Sequence, residues 1–490
     1  MRTSSNFMLT IIYHLPYRFR YVSCQLDALR HCFPPDLRQF LNELPETLDE
    51  TYEGILKDIN KAQKDNAHRL LQCLAVAVRP LLVEELAELL AFDFRALSEG
   101  GIPKLKEDWR WDNQEDAVLL TCSSLITIVR IGDSRVVQFS HFSVKEYLTS
   151  PRLARSHGDV SRFHIDLEAA HTILAQACLG TLLRLDEHAS NSVAKEFPLV
   201  QYAAEYWVDH TQFEKVSSRV RVGMYDLFDK SRPHFAAWLQ VHDMDERWTG
   251  FSPRVRHAVG SPLYSAALCG FYDLAERLIT KYPEQVNARG GHLLAPLQAA
   301  LYKRHFRVAN LLHMNGAAVD ILGEWDTTPL HVLLLTGYDG VMRWLLKHGA
   351  EANARDKFGF TPLHWAAYNM GSEAVQVLLE YKADVNSQNR AGETPLYQAI
   401  STRYSSPEQV ADVVRRLLEH GADTNICDNC LSTPLHQASS NGLLEVVRML
   451  VSYGAKVVEK DGKGRTPFQV ASSNGHHKIA KLLLGHGAVR

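Results

Sequence analysis

A short string recurs through the second half of the chain. Thr-Pro-Leu-His, or a close variant, carries its proline at Pro262, Pro296, Pro329, Pro362, Pro395, Pro434 and Pro467. The spacings are 34, 33, 33, 33, 39 and 33 residues. Seven copies in phase restrict the fold to a stack of like units, because one such unit cannot bury its apolar face alone. The clearest copy begins Asp356-Lys357-Phe358-Gly359-Phe360-Thr361-Pro362-Leu363-His364-Trp365-Ala366-Ala367. Thr361 suits a helix N-cap and Pro362 the first helical position, where no N–H is required. Ala366 and Ala367 allow close helix approach. A second helix is expected through Ala374, Val375, Val377, Leu378 and Leu379. Gly349, Gly421 and Gly454 stand where such helices end, in a left-handed conformation. Asp-x-x-Gly ahead of the next Thr-Pro supplies a turn.

The period and the Thr-Pro-Leu-His string resemble the ankyrin repeat. Departures from the pattern carry their own expectations. Lys382 occupies a helix-ending glycine position, at a cost of about 1 kcal/mol if left-handed. The 39-residue spacing places an insertion near Thr402 to Pro407, between the two helices of one repeat. The copies at 261 and 295 are degenerate. The chain ends at Gly487-Ala488-Val489-Arg490 with no polar capping repeat, so an exposed or truncated C-terminal face is expected.

Residues 1–250 show no period. Helices are expected over Asn42 to Ile59, about Ala67 to Val78, and Val83 to Leu90, the last with Glu84, Glu85 and Glu88 facing outward. Alternating segments at Thr121 to Val129 and Arg135 to Phe139 flank Ile131-Gly132-Asp133-Ser134, a hairpin turn signal. Three helices and a hairpin point to a winged-helix unit. Leu44 to Tyr52, Ala77 to Leu81 and Phe139 to Leu148 resemble fungal NACHT–ankyrin proteins, which are NLR-like signalling ATPases. In that family these segments follow the nucleotide-binding domain. The resemblance runs from about residue 20 to the C-terminus, and residues 155–250, including Tyr202 to Trp207, resemble the family's helical connector. The expected architecture is mainly α: an unmatched segment 1–20, a winged-helix-like α/β unit 21–150, a helical connector 151–250 and an ankyrin solenoid 251–490.

Several chemistries are excluded or disfavoured. G-x-x-x-x-G-K-[ST] does not occur, so no ATP binding is expected. The resemblance therefore implies a relative whose NACHT domain is absent. Among 490 residues, 53 Lys+Arg face 56 Asp+Glu, a net charge of −3, which disfavours a polybasic nucleic-acid binder. The third helix with its glutamates would repel phosphate. No apolar run reaches 18 residues, and Phe7 to Leu15 is too short to span a membrane and lacks a cleavage site. Eight dilute cysteines suit a reducing compartment, and a cytoplasmic location is expected. Cys427 and Cys430 form a lone C-x-x-C without a second pair for zinc. His331, His364 and His436 recur with the repeat and are read as bonds between neighbouring turns. His476-His477 is read as a solvated loop or helix start. His141, without a nucleophile elbow around its serines, is read as a packed helix start.

No catalytic residue, cofactor or metal site is expected. What remains is a surface for a protein partner, since repeat stacks present turn tips and inner helices on a concave face. By register the tips carry Trp325, Lys357, Phe358, Phe360, Arg390, Glu393, Asn429, Lys463 and Arg465. The inner helices carry Trp365, Tyr368, Gln398 and Gln437. Aromatic and Arg residues dominate protein–protein hot spots. Two other readings stay open: a fragment of a larger receptor, and an enzyme with a site in 20–250, where no catalytic constellation occurs.

Overall fold

The computed structural model describes residues 47–95, 101–122, 124–156, 158–186, 196–242, 260–333, 339–402 and 405–488. The N-terminal expectations for residues 1–46 lie outside the described residues. The chain divides into two compact units, Met1–Glu246 and Arg247–Arg490.

In the first unit, Thr47 caps α1 (Leu48–Asp58). Glu50 N–H donates to the Thr47 hydroxyl and Thr47 N–H to the Glu50 carboxylate, each at 3.2 Å. This reciprocal pair satisfies two otherwise orphaned amides. Helix α2 (Lys64–Val76) follows, then β1 (Leu81–Leu82), α3 (Val83–Leu90), β2 (Phe92–Asp93), β3 (Lys104–Leu105) and α4 (Gln114–Cys122). The hairpin β4 (Ile126–Ile131) and β5 (Ser134–Phe139) closes a three-stranded antiparallel sheet of order β1-β5-β4. Leu81 faces Val137, and Ile126 faces Phe139.

Two expectations need correction here. A fourth helix, α4, lies between the third helix and the hairpin, and it ends at Cys122 where the strand was expected to have begun. It carries Glu115 and Asp116 and neither Lys nor Arg. Nor do the α3 glutamates all face water. Glu85 is 1% exposed and Glu88 4%. Arg79 grips Glu85 through two donors at 2.8 and 2.6 Å, and Leu82 N–H adds a third at 2.8 Å. Arg110 Nε donates to Glu88 at 2.9 Å. Buried carboxylates persist only with such partners, and the bidentate guanidinium matches their geometry. Glu84 stays nearer the surface, paired with Arg135.

Helices α5 (Phe142–Leu148), α6 (Pro151–Arg155), α7 (Leu167–Leu182), α8 (Val200–Thr211), α9 (Val216–Arg219), α10 (Arg221–Leu227) and α11 (His234–Val241) complete the unit. His141 caps α5, accepting from Ser143 N–H, as a helix-start residue should. Gly180 on α7 admits the β2–β3 pair, because a Cβ there would stand 2.8 Å from the Phe92 ring. Tyr202, Ala203, Ala204 and Trp207 of α8 are buried. Trp207 packs edge-on to Trp238 at 5.4 Å, and the Trp238 indole donates to Ala204 O at 3.0 Å.

The second unit is seven helix pairs: α12 and α13 (Pro262–Cys269, Tyr272–Lys281), α14 and α15 (Pro296–Tyr302, Phe306–Met314), α16 and α17 (Pro329–Leu333, Asp339–Lys347), α18 and α19 (Pro362–Tyr368, Ser372–Glu380), α20 and α21 (Pro395–Ser401, Pro407–Glu419), α22 and α23 (Pro434–Asn441, Leu444–Ser452), α24 and α25 (Pro467–Ser473, His477–Gly485). Each proline of the repeat opens a first helix. Of the six extra residues only two lie in the connector between α20 and α21; the other four extend α21, 13 residues long against nine in α19, so the insertion is mostly helix rather than loop. Gly349, Gly421 and Gly454 are left-handed, with φ of 93°, 87° and 88°, and Lys382 joins them at 62°. Leu263, Leu297, Leu330, Leu363, Leu396 and Leu435, one in each of the first six pairs, are fully buried, and half-buried Phe468 takes the place in the seventh.

A second ladder was not expected. Asn353 Oδ1 accepts from Asp384 N–H, Asn386 from Asp423 and Asn425 from Lys456, all at 2.8 to 2.9 Å. Asn287 does the same for Ala318, and Asp320 for Glu351. Each of these residues ties its unit to the next at the base of the connecting segment.

Candidate partner-binding face

Each of the last four pairs is entered through a five-residue hairpin whose geometry is set by one Asx side chain, whereas glycines, Gly290 and Gly323, stand at that position before the second and third pairs. Asp356 Oδ1 accepts from Phe358 N–H and Phe360 N–H, both at 2.9 Å. Asn389 does so for Ala391 and Glu393, Asp428 for Cys430 and Ser432, and Asp461 for Lys463 and Arg465. Successive tips are joined by one backbone bond each: Lys357 N–H to Trp325 O, Arg390 to Phe358, Asn429 to Ala391 and Gly462 to Cys430. The tips therefore form a continuous row beside the first helices.

The repeating histidines lock that row to the helices. Thr361 N–H donates to His364 Nδ1 at 3.1 Å, so Nδ1 carries no proton. Nε2 then donates to Glu393 O in the next tip at 3.0 Å. His331 makes the same pair of bonds with Thr328 and Phe360, and His436 with Thr433 and Arg465. Burial pushes His364 down to about 4 and lowers His331 and His436 as well. Their role is structural: neutral, they bridge one turn to the next.

The thirteen expected partner-facing residues fall into three sets. Trp325 is 58% exposed and Phe358 50%. Lys357 lies between them, its Nζ 4.9 Å from each ring centroid, close enough for cation–π attraction. Tyr368, Arg390, Asn429, Lys463 and Arg465 are also exposed, while Lys357, Phe360 and Gln437 are half-buried. A third set has internal duties. Trp365 is half-buried and its indole donates to Asp356 Oδ2 at 3.2 Å. Glu393 accepts from the side chains of Asn389 and Gln398, and Gln398 is only 7% exposed. Asn429 also braces its neighbour, donating to Arg390 O at 3.0 Å.

The geometry adds residues that the repeat register alone did not bring out. The left-handed residue two before the threonine is Gly359, Gly392 and Gly464 in three tips. Asp326 and Leu431 take that place in two others, with φ of 61° and 59°. Leu431 is 56% exposed, so burial does not offset its strain. Aligning Cys430-Leu431-Ser432-Thr433 with Phe358-Gly359-Phe360-Thr361 reveals this leucine in the sequence. Leu322 and Val332 are likewise exposed. A cavity of about 70 Å³ opens between the second and third pairs, walled by Leu293, Leu294, Leu301, Pro329 and Val332 with Gln298. No group of three or more possible metal ligands occurs among the described residues, and Cys427 and Cys430 are free thiols.

The family model for ankyrin repeats (three copies) matches residues 297–389, 356–411, 372–461 and 404–489. The model for the winged-helix domain of GPI inositol-deacylase matches residues 56–161. Azaphilone pigments biosynthesis cluster protein L of Monascus ruber is 33% identical over 298 residues, covering 57% of this chain and 61% of that protein. Alpha-latrocrustotoxin-Lt1a of Latrodectus tredecimguttatus is 31% identical over 81 residues, 16% of this chain and 6% of the toxin. The chain thus aligns with less than two thirds of either relative. Its second half is an ankyrin-repeat array and its first holds a winged-helix domain, both non-catalytic folds. Among the described residues no helix is long and apolar enough to cross a membrane.

Proposed function

We propose that this chain recognises a protein partner on the face made by the hairpin tips and first helices of its ankyrin array. The observation that carries the reading is the pair of exposed rings Trp325 and Phe358 about half-buried Lys357, on a row held by Asx turns and histidine bridges. Rigid aromatic anchors give contact area at low entropic cost. Repeat arrays are interaction modules in general.

The finer assignment is the post-NACHT and ankyrin part of an NLR-like signalling protein, acting in the cytoplasm, with boundaries near residues 20, 150 and 250. It rests on the resemblance of the three first-half segments and on the winged-helix match. No phosphate loop occurs in the sequence, so the chain is read as binding no ATP and catalysing no reaction. Its winged helix is read as structural. The helix before its hairpin is acidic, which opposes a nucleic-acid backbone. A second reading comes from the fungal relative, whose name attaches it to a pigment biosynthesis cluster. On that reading the partner is a protein of such a cluster.

The test is affinity capture from native lysate by the whole chain, read by mass spectrometry. A Trp325→Ala/Tyr368→Ala double variant is the control, because both side chains are exposed and bear little of the fold. A partner captured by the parent and lost by the variant supports the face. Equal capture by both moves the site elsewhere. The identity of the partner separates signalling proteins from biosynthetic ones.

A further inference from the structure

Charge is segregated across the ankyrin array. At the last four tips the Asp and Glu side chains are taken up by internal hydrogen bonds. Asp356 accepts two backbone amides and the Trp365 indole. Asp428 accepts two amides and the Tyr397 hydroxyl, and Asp461 two amides and the Arg465 guanidinium. Glu393 is held by Asn389 and Gln398. The cations of the same segments, Arg390, Lys460 and Lys463, are exposed. Lys357 is presented over two rings. The exposed positions of the neighbouring first helices, such as Tyr368, Gln469 and Ser472, are uncharged. Carboxylates such as Glu373, Glu380 and Asp412 lie on the second helices, several of them tied to Arg343, Arg415 or Arg416.

Apolar character is concentrated at the other end of the row. The cavity between the second and third pairs holds about 70 Å³, roughly two water volumes, enough for a short branched side chain. Gln298 is 7% exposed in its wall. It takes the place of the bridging histidines, but its amide reaches Ala318 O and Val319 O only at 3.4 and 3.5 Å, and its Oε1 accepts no hydrogen bond. An unpaired buried acceptor is costly, and a backbone N–H of a bound polypeptide segment would relieve it. Leu322, Val332 and Trp325 flank this end, with Asp326 its exposed carboxylate. Leu431 adds one apolar step among the cations.

We infer that this face takes an extended acidic polypeptide segment. An aliphatic side chain at one end seats in the Gln298 cavity, and carboxylates further along meet Lys357, Arg390, Lys460 and Lys463. Complementary potentials set register and speed encounter. The inference rests on the reading that the tip face binds protein and specifies what it binds.

The test pans the whole 490-residue chain against a random dodecapeptide phage library. The expected winners carry clustered Asp/Glu and a Leu, Ile or Val offset to one side. The best peptide should bind roughly tenfold or more weakly to Lys357→Glu/Lys463→Glu, to Lys460→Glu/Lys463→Glu and to Val332→Glu. It should also weaken as salt rises. Circular dichroism of each variant checks folding, and Lys460→Glu/Lys463→Glu, at exposed positions, keeps the test valid if another variant unfolds. Neutral or basic winners that still depend on Trp325 and Tyr368 would overturn the acidic assignment and leave the binding face standing. Winners indifferent to every one of these substitutions, or no winners at all, would overturn both. Equal competition by a single-stranded oligodeoxynucleotide would mean a general polyanion site and would also overturn the inference.

Discussion

Lys382 ends α19 at φ 62°, where Gly349, Gly421 and Gly454 end other second helices. A side chain in that conformation costs of order 1 kcal/mol, part of which glycine returns through its freer unfolded chain. Lys382→Gly should therefore stabilise the array by about 0.5–1 kcal/mol, measured as a higher urea midpoint at unchanged slope. Leu431 poses the sharper case. It is strained and exposed, which is the profile of a residue retained for contact rather than for folding. Leu431→Gly should also stabilise, by a similar amount, and should weaken partner capture; stabilisation with capture intact would make the leucine incidental. Lys382 is legible in the sequence, because a period allows each residue to be compared with its counterparts; Leu431 is open to the same comparison, but its left-handed backbone brought it out. Glu85 and Glu88 were not legible. Their spacing on α3 fits a solvated face, and only the fold brings Arg79 and Arg110 onto them from 6 and 22 residues away.

At the scale of the helix pair, the histidine bridge ties stability to pH. His364 titrates near 4 in the folded chain because it is buried, against about 6.5 unfolded. Between those values the unfolded state binds more protons, so stability rises with pH. The contribution is complete above about 6.5 and is lost as pH falls toward 4. The slope is at most about 1.4 kcal/mol per pH unit for one such histidine. His331 and His436 act in the same direction. Glutamine offers a natural comparison: Gln469 stands at the equivalent position and accepts Thr466 N–H at 3.0 Å without a titrating group. His364→Gln should lose less stability than the parent between pH 7 and pH 5, read by urea unfolding at both values. Identical losses would mean that His364 is not the titrating group. The sequence disclosed the histidines as structural, since they recur in phase. The asparagine ladder recurs in phase too, through Asn353, Asn386 and Asn425, but short polar residues in a connecting segment read as solvent-facing until the acceptors they meet are seen.

For the whole chain, legibility follows repetition. Seven copies predict their own contacts, because each pair packs on the next. The first unit has no such redundancy: α4 goes unrecognised because Gln114 to Cys122 lacks a strong helical stripe, and Phe92 finds Gly180 only through the fold. The same contrast bears on whether the units are independent. Each has its own core, with Trp207, Phe228 and Trp238 in the first and the leucines of successive helix pairs in the second. Stability in a repeat array is a sum of unit and nearest-neighbour terms, so the second unit draws on contacts within itself. A chain of residues 247–490 should accordingly be helical by circular dichroism and unfold cooperatively in urea. Its midpoint should match one transition of the parent, and it should retain the capture that Trp325→Ala/Tyr368→Ala abolishes. A fragment that folds but captures nothing would assign part of the recognition surface to the first unit. One that fails to fold would mean that the terminal pair α12 and α13 needs residues from outside the array to cover its apolar face.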